Sequence, residues 1–135
     1  MGRSVWAEES ITEADLTKLG HEVADVLIGH DAPLDLPSLD AWLAATGHGW
    51  PPAGLKYSAE GRAMFHRGFQ QVQPRLYLGG HYHRRIDELV TYSPGDREFQ
   101  TRVVILDQGG SASATSQAIL DVRTLELEYI TRDGV

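Results

Sequence analysis

The chain has 135 residues, with 12 Lys and Arg against 19 Asp and Glu, a formal charge of −7 and no cysteine. That length suits one domain able to bury its own core, and the missing thiols exclude a cysteine nucleophile, a thiolate metal site and a disulfide framework. The acidic balance argues against sequence-independent nucleic-acid binding, which depends on Lys and Arg neutralising phosphates, so no nucleic-acid partner is expected.

Residues 1–9 read as irregular. Glu8, Glu9, Glu13 and Asp15 fall where a signal peptide would need an apolar stretch, and no apolar run reaches the roughly eighteen residues of a membrane span. The expectation is a soluble cytoplasmic protein with no membrane partner.

Thr12 with Asp15 three positions on predicts a capped helix carrying Leu16 and Leu19 and stopping at Gly20. Ala24 to Ile28 predicts a buried strand that ends at Gly29 and is broken by Pro33. Ser38 is expected to cap a second short helix with Leu39, Trp42 and Leu43, terminated by Gly47 and Gly49. Pro51 and Pro52 mark a loop, and Ser58 opens a longer helix. In it Ala59, Met64, Phe65, Phe69 and Val72 share a face, and Pro74 ends it. Leu76 to Leu78 predicts a second buried strand, stopping at Gly79 and Gly80. Strand-like runs come next at Ile86 to Tyr92, Thr101 to Leu106, Ala118 to Val122 and Leu125 to Ile130. Turns at residues 93–96, at Gly109-Gly110 and near Arg123-Thr124 separate them. The early half therefore reads as strand–helix–strand and the late half as a strand meander.

Of the six histidines, His30, His81 and His83 occupy special places. His30 follows the first strand through Gly29, and His81 follows the second through Gly79 and Gly80, with His83 two residues on. A helix separates the two strands, so they can be parallel neighbours whose ends lie at one sheet edge, where open α/β sheets place their sites. In an extended segment His81 and His83 would point to the same side. Three convergent imidazoles suit a Zn, Mn or Fe ion, and three nitrogens alone would make an open site. The alternative is that they are loop histidines with satisfied hydrogen bonds, because His-x-His is a weakly specific pattern. His21, His48 and His66 read as solvent-facing. Asp31 and Asp87 either orient an imidazole or serve as turn formers and solvated surface. Arg84 and Arg85 either clamp an anion or stand as solvated cations. Gly109-Gly110-Ser111 lacks the lysine and following helix of a phosphate cradle, and Trp6, Trp42 and Trp50 read as packing residues.

The run Asp25-Val26-Leu27-Ile28-Gly29-His30-Asp31-Ala32-Pro33, followed by Pro74-Arg75-Leu76-Tyr77-Leu78-Gly79-Gly80-His81-Tyr82-His83, resembles the calcineurin-like metallophosphoesterases. The first run matches that family's isolated histidine after a strand, and the second its closing Gly-His-x-His motif. Trp6-Ala7-Glu8-Glu9 and Ile11-Thr12 resemble the segment preceding the histidine strand in bacterial members. Val103 to Asp107 and Ile119 to Leu125 look like the family's final strands and turns. The resemblance covers essentially the whole chain and only the C-terminal half of the family domain.

The resemblance implies an α+β fold: half of the family's β-sandwich, one mixed sheet with about three helices packed on it, as a single domain over residues 1–135. It implies that His30 and His81 ligate one ion of a two-metal centre and His83 the other, with Mn, Fe or Zn as the divalent metal. Such a pair of ions binds a phosphoester and generates the nucleophile that attacks phosphorus in line. The family's Asp-x-His, Gly-Asp-x-x-Asp and Asn-His motifs have no counterpart here: Gly95-Asp96 falls in a late turn after the histidines, and the sequence contains no asparagine. The resemblance thus implies a metal-dependent phosphoester hydrolase fragment with an incomplete active site, no assigned catalytic residue and no support for catalysis by this chain alone. A half-sandwich also leaves an apolar inner face that something must cover. A homodimer or a complementary chain is the expected partner. The alternative function is a non-catalytic interaction protein that uses the half-fold to self-associate or bind another protein.

Overall fold

A computed structural model describes residues 10–46, 52–108 and 116–130. Among them, α1 (Glu13–Leu19), β1 (Val26–Ile28), α2 (Pro37–Thr46), α3 (Pro52–Val72), β2 (Leu76–Gly79), β3 (Ile86–Tyr92), β4 (Phe99–Ile105), β5 (Gln117–Asp121) and β6 (Glu126–Ile130) occur in chain order. Three helices, a mixed four-stranded sheet and a two-stranded antiparallel sheet make this an α+β fold. No helix among the described residues is long and apolar enough to cross a membrane. The chain forms two compact units, one holding the helices and one holding the strands.

In the helical unit, the Thr12 hydroxyl accepts the Asp15 N–H (3.2 Å) and the Asp15 carboxylate accepts the Thr12 N–H (2.8 Å). Gly20 closes α1 at φ 75°, a left-handed conformation that costs glycine nothing. Leu16 of α1 is buried, and a β-carbon at Gly68 of α3 would lie 3.2 Å from it, so glycine allows the two helices their close approach. The Gln71 amide donates to the Leu16 (2.9 Å) and Gly20 (3.0 Å) carbonyls, satisfying the end of α1.

Two boundaries differ from the sequence-based expectation for one reason. Pro37, not Ser38, is the first residue of α2, and Pro52 opens α3 ahead of Ser58 instead of standing in a loop. Proline is tolerated in the first turn because its missing N–H would have had no helical partner. The inward stripe of α3 is Arg62, His66, Phe69 and Val72, while Ala59 is exposed and Met64 and Phe65 are half-buried. Gly47, Gly49 and Pro51 lie outside the described residues.

In the strand unit the order is β1-β2-β4-β3. β1 runs parallel to β2 from Val26↔Leu76 to Ile28↔Leu78, as the intervening helices require. The late strands are not the simple meander expected. β4 inserts between β2 and β3, parallel to the first from Leu76↔Arg102 to Gly79↔Ile105 and antiparallel to the second from Ile86↔Ile105 to Tyr92↔Phe99. The reason lies in composition: Val103, Val104 and Ile105 are all buried, as a central strand needs on both faces. β3 instead carries Asp87, Glu88 and Thr91, which suit an edge. Among the described residues β5 and β6 pair only with each other, across the expected turn near Arg123-Thr124.

Candidate functional site

Because β1 and β2 are parallel and in register, their carboxyl ends share one edge, and the pairing continues past the strands. The Gly29 N–H donates to the Leu78 carbonyl (3.0 Å) and the Gly80 N–H to the His30 carbonyl (3.2 Å). This lays the two histidine loops side by side. His30 Nε2 and His81 Nδ1 come within 3.0 Å, with ring centroids 4.8 Å apart and planes at 77°. One ring carries the proton that the other accepts.

His81 and His83 are not extended. Their φ angles are 70° and 52°, both left-handed, so the expectation that they point to one side as strand neighbours does not hold. The Tyr82 N–H donates to the Gly80 carbonyl (2.8 Å), which closes a three-residue turn with His81 at its centre. A non-glycine residue in that conformation is rare and costly, and such residues concentrate at functional sites. His81 is exposed as a residue, yet its ring is hemmed in by its neighbours. That partial desolvation lowers its pKa first, Asp31 opposes the shift, and His30 and His83 add to it. The neutral imidazole so favoured is the form that binds metal.

Beneath the pair, Asp31 Oδ1 accepts the Tyr82 hydroxyl (2.7 Å) and the Ala32 N–H (2.8 Å). The buried Tyr77 hydroxyl donates to the Asp31 carbonyl. Burial drives the Tyr77 phenol pKa well above its ordinary value, with Asp31 and Tyr82 adding to the shift. A β-carbon at Gly79 would stand 2.6 Å from the Tyr77 hydroxyl and 2.9 Å from the Asp31 carbonyl oxygen, so only glycine fits. Tyr77 and Tyr82 are the residues that sequence reasoning missed. The available signal was their position, one inside the second strand and one between the two histidines of His-x-His.

The other candidates fall elsewhere. Asp87 is held by Arg102 through two hydrogen bonds (2.9 and 2.7 Å) and by the Tyr129 hydroxyl (2.7 Å), not by an imidazole. The Arg85 guanidinium lies over the Tyr129 ring, 4.6 Å from its centroid, and Arg84 is exposed. His21 is exposed as expected, whereas His66 is buried. Its Nδ1 accepts the Leu34 N–H (3.0 Å) and its ring stacks near Phe69 (5.9 Å). The expectation fails there because a stripe traced through apolar residues alone passes over a buried imidazole. Trp42 is half-buried, while His48, Trp6, Trp50 and Gly109-Gly110-Ser111 lie outside the described residues.

Two ligands on neighbouring positions of a zinc-like ion, each about 2.0–2.1 Å from it, stand about 2.9–3.4 Å apart. The 3.0 Å between His30 Nε2 and His81 Nδ1 fits that spacing. No group of three or more His, Cys, Asp or Glu suited to a metal ion occurs among the described residues. The chain matches no protein-family model, no curated protein and no solved structure.

Proposed function

We propose that this chain is metallophosphoesterase-like: a metal-dependent phosphoester hydrolase fragment with an incomplete active site. In this reading His30 and His81 hold one divalent Mn, Fe or Zn ion, His83 is available to a second, and the setting is cytoplasmic. The observation that carries it is the 3.0 Å approach of two imidazole nitrogens at the carboxyl edge of two parallel strands. A bound ion would supply Lewis acidity toward a phosphoester oxygen. The chain's own contribution is to present two imidazole nitrogens side by side at the shared edge of β1 and β2. Asp87 is taken up by Arg102 and Tyr129, so the oxygen ligands come from another stretch of chain or another molecule.

Metal content after dialysis against manganese tests the reading, with about one equivalent retained by the wild type and none by His81→Ala. Retention unchanged in His81→Ala would overturn it. A chromogenic phosphodiester assay run alongside separates the two sources of the missing ligands. Turnover above the His81→Ala background would mean that a second copy completes the site, and background turnover would point to a different chain.

A second reading, self-association of a non-catalytic interaction protein, is supported by Ile28 and Leu89, which remain 72% and 67% exposed. The strand register puts both on one sheet face, at its two edges, while Val104 at its centre is already buried. Covering such a face by a two-fold contact with another copy is the simplest solution. Sedimentation should show a dimer that Ile28→Glu with Leu89→Glu converts to monomer. A monomeric wild type would eliminate this reading.

A further inference from the structure

We propose that Asp31 and Tyr82 act as a positioning pair that fixes the His30–His81 geometry. Each is the residue directly after one of the two histidines, so a bond between them ties one histidine loop to the other. The Tyr82 hydroxyl reaches Asp31 Oδ1 at 2.7 Å, and the Ala32 N–H holds that same oxygen at 2.8 Å, which fixes the carboxylate. The Tyr82 ring meets the His81 ring edge-on, with centroids 4.7 Å apart at 90°. The Tyr82 N–H closes the turn that carries His81 at φ 70°. Tyr82 therefore touches His81 through its ring and the His30 loop through its hydroxyl. Tyr77, donating to the Asp31 carbonyl, holds the same residue from below.

The pair acts on imidazole placement whether or not an ion is present, and its effect on metal affinity rests on the metal-binding function proposed for His30 and His81. Groups that orient ligating histidines from behind change metal affinity by about 10–100-fold when removed. Tyr82→Phe deletes only the hydroxyl and keeps the ring against His81. Asp31→Asn keeps an oxygen acceptor for both the hydroxyl and the Ala32 N–H, so it serves as the conservative rescue, with Asp31→Ala as the second disruptive variant.

The test uses the full chain, first metal-free, with long-range proton–nitrogen spectra of the imidazole nitrogens, and then titrated with zinc. Tyr82→Phe and Asp31→Ala should shift the ring nitrogens of His30 and His81 and weaken zinc binding by about tenfold or more. Asp31→Asn should stay near wild type, and the circular dichroism of all variants should be unchanged. Ring nitrogens that do not move in Tyr82→Phe overturn the proposal. If they move while the wild type binds no zinc, the positioning pair stands and the metal reading falls.

Discussion

At Gly79 the β-carbon of any other residue would press on the Asp31 carbonyl at 2.9 Å and on the Tyr77 hydroxyl at 2.6 Å. Tyr77 is fully buried and cannot swing aside, so the strain would pass to the His30 loop. We expect Gly79→Ala to cost about 1–3 kcal/mol in a urea melt, the range for overpacking a filled site. The glycines beside the histidines were legible as places of tight turning and close approach, but the tyrosine that fills the space was not. Its partner is a main-chain oxygen far away in sequence, which no local pattern encodes. His66 shows the opposite failure, a polar residue on a buried stripe. Burial lowers its pKa from the ordinary 6.5, Asp35 opposes and Arg62 adds. The folded value lies below the unfolded one, so the unfolded chain takes up the proton first as pH falls. Stability is thus greatest above 6.5, declines on acidification toward the folded value and levels off beneath it. His81 contributes with the same sign, so the comparison should be with His66→Gln, which keeps an acceptor for the Leu34 N–H. Urea midpoints from about pH 7.5 to about 5 should fall less in that variant than in the wild type.

Among the described residues the β5–β6 hairpin pairs with no other strand, and an isolated two-stranded sheet is marginal in water. Tyr129 ties it to the larger sheet: its hydroxyl donates to Asp87 at 2.7 Å while Arg85 covers its ring. Removing that hydroxyl in Tyr129→Phe should cost about 0.5–1.5 kcal/mol. Hydrogen exchange should speed up over Gln117–Asp121 and Glu126–Ile130 and stay slow in β4. Equal loss of protection in β4 would show that the hairpin and the sheet open as one. Most strands could be located from sequence because their runs are short, β-rich and separated by turn residues. The span of β3 was legible to the residue. The seat of β4 between β2 and β3 was not, because strand order depends on which neighbour buries Val103 to Ile105. Helix starts at Pro37 and Pro52 were hidden for a related reason: proline ends a helix from within but begins one equally well.

For the whole molecule, the α+β class and the shared edge of β1 and β2 could be argued from the order strand, helix, strand and from two Gly-His junctions. The side-chain geometry at that edge could not, because His81 and His83 adopt left-handed turns instead of an extended run. The candidate site rests on two imidazoles at 3.0 Å, with Asp31 bonded to Tyr77 and Tyr82 beside them. Cobalt titration with visible absorption as the readout reports nitrogen ligation directly, since the ion's d–d bands respond to donor type and geometry. We expect a saturable visible band in the wild type that is lost in both His30→Ala and His81→Ala. A cobalt spectrum unchanged in either variant would contradict the assignment of His30 and His81 as metal ligands.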